Sequence, residues 1–236
     1  VSWLSETEML AVSLSLKVAF WATLCAFPIG LLVAFVLARR SFPGKQLLNG
    51  LVHLPLILPP VVTGYILLVV FGPLGFAGRL LEAVGLGVAF RWQGAALAAG
   101  IMGFPLLVRA LRLSIESVDQ RLEQAAATLG ASRMWVFLTV TLPLILPGII
   151  TGVLLCFAKA MGEFGATITF VANIPGETQT LPSAIYAALQ VPGGEAPAMR
   201  LVVMSTSVAL FALFCSEFLA RRVARKIGGE GFNRGV

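Results

Sequence analysis

Apolar and polar positions alternate along the chain in long blocks. Five apolar blocks run from Leu10 to Leu37, Leu51 to Phe71, Ala95 to Leu113, Val140 to Met161 and Leu201 to Ala220. A helix needs about 20 such residues to cross the bilayer core, so the pattern predicts five transmembrane helices. The first is long enough to tilt or project. The expected fold is an all-α integral membrane bundle, a single transmembrane domain over residues 1–236. The polar interruption with the strongest internal pattern lies at 117–148, SVDQRLEQAAATLGASRMWVFLTVTLPLILPG. Ser117 and Gln120 have capping-box spacing, and Gly130 sits where a helix would stop. Between them Leu122, Ala125, Ala126 and Leu129 recur at helical spacing. The prediction is a short amphipathic helix with a narrow apolar face and with Arg121, Glu123 and Gln124 on its flanks. Spacing alone leaves two readings open: a helix resting on its own bundle at the membrane interface, and one that fits a groove on a partner.

Composition places the chain in a membrane: 58% of residues are apolar, 12% are charged, and mean hydropathy is +0.93. The net charge of +6 raises nucleic acid as a partner, but the positions of the basic residues decide against it. Arg39, Arg40 and Lys45 follow the first span, Arg109, Arg112, Arg121 and Arg133 the third, and Arg221, Arg222, Arg225, Lys226 and Arg234 the fifth. The other side has Arg79, Arg91 and Arg200, with Lys17 and Lys159 near or within spans, beside Glu6, Glu8, Glu82, Glu177 and Glu195. Basic loops stay in the cytoplasm, which predicts an outside amino terminus, an inside carboxyl terminus and a cytoplasmic 117–148 loop. Glu6 and Glu8 stand where a cleavable signal would be basic, so the first span reads as a permanent helix. Cys25, Cys156 and Cys215 lie in apolar runs and read as packing residues, and the lone His53 as structural or interfacial. No phosphate-cradling Gly-Lys loop and no Ser-His-Asp set is present, so any nucleotide hydrolysis belongs to another chain.

Two stretches carry candidate path residues. In LPLILPPVVTGY, Pro55, Pro59 and Pro60 interrupt the helix ladder at membrane depth, which predicts either a bundle-facing segment that includes Thr63 or a kink that only aids packing. In FAKAMGEFGATITFVANIPGETQTLPSAIY, Lys159 and Glu163 stand one turn apart. Ionisable groups within a span are functional candidates; the alternative is that both snorkel outward. Thr167, Thr169 and Asn173 add neutral polar groups past which an oxyanion could move without being trapped. Gly148 and Gly152 have the spacing of a close helix contact. The glycine-rich segment from Gly72 to Gln93, with Arg79 and Glu82, reads as solvated outer surface.

The 117–148 loop resembles the cytoplasmic signature of permeases in ATP-binding-cassette importers: Glu-Ala-Ala, three residues, Gly, nine residues, Ile, one residue, Leu-Pro. Gln124, Ala125, Ala126, Gly130, Val140, Leu142 and Pro143 fall at those spacings, with Gln124 for Glu and Val140 for Ile. The resemblance implies a type I importer permease whose coupling helix docks on an ATPase subunit through Arg121, Leu122, Glu123, Gln124, Ala125, Ala126, Leu129, Gly130 and Arg133. GEFGATITF, NIPGETQTLPSAIY and LPLILPPVVTGY are similar to molybdate permease subunits. This implies import of molybdate, with tungstate second, by alternating access in a bacterial inner membrane. The implied partners are two ATPase copies, a second copy of this chain, lipid, and a periplasmic or extracellular molybdate-binding protein. ATP and magnesium would sit on the ATPase, with no cofactor on this chain. The path would involve Pro59, Pro60, Thr63, Lys159, Glu163, Thr167, Thr169 and Asn173. The alternatives are a sulfate or thiosulfate permease of the same class, and an ion-gradient transporter, for which Glu163 and Glu217 are the candidate ion sites.

Overall fold

The computed structural model describes residues 4–229, and the regular structure in them is helical throughout. Helix α1 spans Glu6–Arg39. Ser5 caps it through a capping box in which its hydroxyl accepts from the Glu8 N–H and the Glu8 carboxylate accepts from the Ser5 N–H. At 1.5 Å per residue α1 is about 50 Å long, well beyond the bilayer core. The predicted second span is not continuous. It divides into α2 (Lys45–Ile57) and α3 (Pro60–Phe71), bent by 112°. Pro59 and Pro60 lack the N–H groups that would continue α2, and the residue before a proline is pushed to extended backbone, as Leu58 is at φ −70°, ψ 142°. Pro60 then begins α3 at the position where a missing N–H costs nothing.

The outer segment expected as plain surface contains a short helix, α4 (Phe76–Ala83), and leads into α5 (Trp92–Glu116). Helix α6 (Gln120–Thr128) is followed by a long rod: one turn of α7 (Arg133–Val136), a π-helical turn at Phe137–Thr141, and α8 (Leu142–Met161). Two short helices, α9 (Gly165–Val171) and α10 (Leu181–Leu189), precede α11 (Glu195–Gly229). Four helices, or five if the bent pair counts as one span, are long and apolar enough to cross a membrane. The side chains of Glu217, Arg221, Arg225 and Lys226, and Arg234 entirely, lie outside the described residues.

Helix α5 is the centre. Its apolar window is 67% buried, against 33% for α1 and 22% for the α7–α8 rod. Small residues allow this, because in lipid helices associate by close packing rather than by escaping water. Gly100 lies against the backbone of Ala22 in α1, and Gly103 against Cys156 in α8. Gly148 and Gly152 face Ser114 and Leu107, so the predicted glycine pair serves contact between α8 and α5 of the same chain. Cys156 packs as expected, whereas Cys25 is exposed. His53 bonds through Nδ1 to the Asn49 carbonyl at 2.8 Å. A second, smaller core joins Ala11 and Val12 of α1 to Leu181, Ala184 and Leu201. It is fastened by an Arg200–Glu8 ion pair at 2.7 Å and by the Leu181 N–H donating to Ser15 Oγ at 2.6 Å.

Candidate functional site

The two stretches singled out in the sequence form two sites of opposite character. At the basic end of the bundle, α6 buries none of its residues. Its cap is Asp119, whose side chain accepts from the Arg121 N–H; Ser117 instead ends α5, which corrects the predicted capping box. The difference arises because α5 runs on to Glu116, and Asp119 is the first residue after the turn able to cap. The stop is as predicted. Gly130 has φ +87°, and the Gly130 and Ala131 N–H groups donate to the Ala127 and Ala126 carbonyls, a Schellman closure. Leu122 is 50% exposed and Leu129 89% exposed, and Arg121, Gln124, Ala125 and Arg133 also face outward. Ala126, Leu129, Gly130, Ser132, Trp135 and Thr139 line an open groove of about 570 Å³ beside the helix. Glu123 behaves differently from its neighbours: its Oε1 accepts from Arg39 Nη2 at 2.9 Å and from Thr141 Oγ1 at 2.7 Å.

The second site is the crossing of α3 and α9, where the two sequence stretches meet. A Cβ on Gly64 would stand 2.5 Å from the Ala166 carbonyl oxygen and 2.9 Å from Thr169 Cβ, and one on Gly165 would stand 2.7 Å from Pro60 Cβ. Glycine therefore sets the separation of the two helices. Lys159 and Glu163 pair at 2.8 Å. Glu163 is 2% exposed, so it does not snorkel, and its Oε1 also accepts the Ala166 N–H at 3.0 Å, capping α9. Thr167 and Thr169 are tied locally, donating to the Phe164 and Gly165 carbonyls. Thr63 Oγ1 and Asn173 Oδ1 are buried with no hydrogen-bond partner among the described residues. Asn173 follows Ala172, whose φ of +63° and ψ of −161° are strained for a residue with a Cβ. Pro59 and Pro60 are exposed at the bend. The expectation of a bundle-facing stretch thus holds for the stripe of Thr63, Gly64 and Leu67, whereas Pro55 is half-buried and Pro60 meets Gly165 with its other side exposed.

The inward residues that sequence reasoning missed are Arg39, read only as a topology marker, and Thr141, the unspecified position of the motif. A polar residue between Val140 and Leu142 in an apolar run was the available signal for Thr141. The Arg200–Glu8 pair joins residues 192 positions apart and left no local signal.

Residues 26–227 match the family model described as binding-protein-dependent transport system inner membrane component. The chain belongs to that family. Among curated relatives, the permease is 56% identical over 228 residues to the molybdenum transport system permease protein ModB of Escherichia coli K12, covering 96% of this chain and 99% of the relative. Identity to the Haemophilus influenzae protein of that name is 51%, covering 94% and 97%. A probable sulfate transport system permease protein of Chlorokybus atmophyticus is 37% identical, covering 92% and 77%. Among solved structures, the permease superposes on a chain of a bacterial importer of the acidic polysaccharide alginate with TM-score 0.73 at 19% identity, covering 93% of this chain and 81% of that one. It also superposes on a chain of the inward-facing MetNI methionine ABC transporter with TM-score 0.71 at 17% identity, covering 93% and 99%. These likenesses establish the type I importer permease fold.

Proposed function

We propose that this chain is the membrane permease of an ATP-driven, binding-protein-dependent importer of molybdate, with tungstate accepted as well. The near end-to-end match to molybdenum permeases carries the reading, with the sulfate permease more distant. The exposed α6 supports a separate ATPase: a helix that buries nothing of its own while presenting Leu122, Ala125 and Leu129 suits a partner's groove. Two ATPase copies, holding ATP and magnesium, would bind two copies of this permease through the 117–148 loop. A loaded binding protein would dock on the outer face, with the amino terminus outside and the carboxyl terminus in the cytoplasm.

In this reading ATP binding draws the ATPases together and the α6 helices follow, which rocks the bundle between inward- and outward-open states. The path involves the α3–α9 crossing with Pro59, Pro60, Thr63, Lys159, Glu163, Thr167, Thr169 and Asn173. Neutralisation of Lys159 by Glu163 keeps that cation from trapping a divalent oxyanion.

The test is ATP hydrolysis by the permease and its ATPase in liposomes, with binding protein loaded with molybdate, tungstate or sulfate. Stimulation by the first two and not by sulfate is the expected result. Stimulation by sulfate alone would transfer the permease to the sulfate class, and a flat response to all three with active ATPase would refute oxyanion import.

A further inference from the structure

Helix α6 is nine residues long, buries none of them, and lies between the Ser117–Asp119 turn and the left-handed turn at Gly130. Among the described residues, the hydrogen bonds from α6 side chains to other elements are two, and both end on one atom, Glu123 Oε1. One comes from Arg39, the last residue of α1, and the other from Thr141, the last residue of the π turn that begins α8. The Arg39 Nη2 that reaches Glu123 also donates to the Val118 carbonyl at 3.4 Å, in the turn by which the chain enters α6. This is not a loose surface pair. Arg39 and Glu123 side chains are 10% and 23% exposed, and Thr141 is 2% exposed. A charge-assisted bond shielded in this way is stronger than one in open water.

We propose that Arg39, Glu123 and Thr141 form a positioning bracket that makes the coupling helix, the end of α1 and the head of α8 move as one body. This rests on the importer reading above and refines it. The exposed residues of α6 hold the ATPase, while the carboxylate of Glu123 transmits the ATPase's movement inward. The unspecified motif position before Leu142-Pro143 then has a role, since its hydroxyl reaches the helix 18 residues earlier.

The bracket predicts loss of coupling without loss of docking. In the reconstituted complex, Arg39→Gln should still copurify with the ATPase in the wild-type ratio. Losing a hydrogen bond to a charged group should cut stimulation by loaded binding protein roughly tenfold. Thr141→Val should act in the same direction and Thr141→Ser should restore the response, because only the hydroxyl is at issue. The double variant Arg39→Gln with Glu123→Gln should fall no further than the worse single variant, since both break one connection. Full stimulation in Arg39→Gln would overturn the bracket. So would shedding of the ATPase by Glu123→Gln but not by Arg39→Gln, which would make Glu123 a direct docking group.

A second measurement is independent of the transported ion. A nitroxide at exposed Ala127, in a permease freed of its native cysteines, should gain mobility on Arg39→Gln. Unchanged spectra would overturn the proposal, whereas failure of every oxyanion to stimulate the wild-type complex would count against the substrate reading and leave this readout intact.

Discussion

The α6 end and the α3–α9 crossing both depend on glycine, for opposite reasons. Gly130 has open space around its would-be Cβ but a φ of +87° that side-chain-bearing residues rarely adopt. Gly64 sits in ordinary helix, yet a Cβ there would enter the Ala166 backbone. One end is left uncovered and shaped by backbone conformation, as suits a surface completed by another protein. The other is closed by main-chain contact and pairs its charge internally, Lys159 with Glu163.

The contrast can be broken most severely at the crossing. Gly64→Val should destabilise the permease by about 3 kcal/mol, because its neighbours are backbone and cannot repack; thermal unfolding in detergent would show it, and wild-type stability would refute the close crossing. Next comes Glu163→Ala, which strips Lys159 of its partner and the Ala166 N–H of its acceptor for a loss of about 2 kcal/mol. Glu163→Gln should lose less, since an amide oxygen can still accept that N–H, and equal losses in the two would assign the whole effect to the charge.

At the α6 end a surface substitution should barely move stability. Leu129→Asp changes a residue 89% exposed and should alter unfolding by less than about 0.5 kcal/mol, while ATPase copurification falls roughly tenfold. Unchanged copurification would place the docking surface elsewhere. Smaller than that tenfold loss, which is worth about 1.4 kcal/mol, is the effect of Gly130→Ala: about 1 kcal/mol of stability from backbone conformation alone. A larger loss would mean that the space around Gly130 is filled once the ATPase is present.

Much of this was legible in the chain. Long apolar blocks located the four long helices, and the spacing from Gln124 to Pro143 located α6, because both are signals local in sequence. The bend between α2 and α3 was half visible: the prolines marked a disturbance, but only the packed structure shows two helices at 112° rather than a kinked one. Helix α9, with seven residues, is too short to declare a period, and α10, LPSAIYAAL, is too uniformly apolar to show one, so both went unseen. Arg39 and Arg112 served the sequence argument as markers of the inner face. Both turn out to be fastened, Arg39 to Glu123 and Arg112 to Glu116 and Asn49. Nothing in a linear reading distinguishes a solvated arginine from one that finds a partner 84 positions away.

The π turn at Phe137–Thr141 makes the motif a matter of phase as well as composition. Each residue in an α-helix advances the side-chain direction by about 100°, and a π turn accommodates one residue more than the regular helix would. The turn therefore acts as a vernier between two facings of one rod: the groove side of α7, where Trp135 stands, and the side of α8 that carries Thr141, Gly148 and Gly152, which fall within about 20° of one face. One more residue there, beyond the one the turn already absorbs, would keep every side chain of both facings and still rotate one against the other by about 100°. In this rod, length is a specification as strict as any side chain.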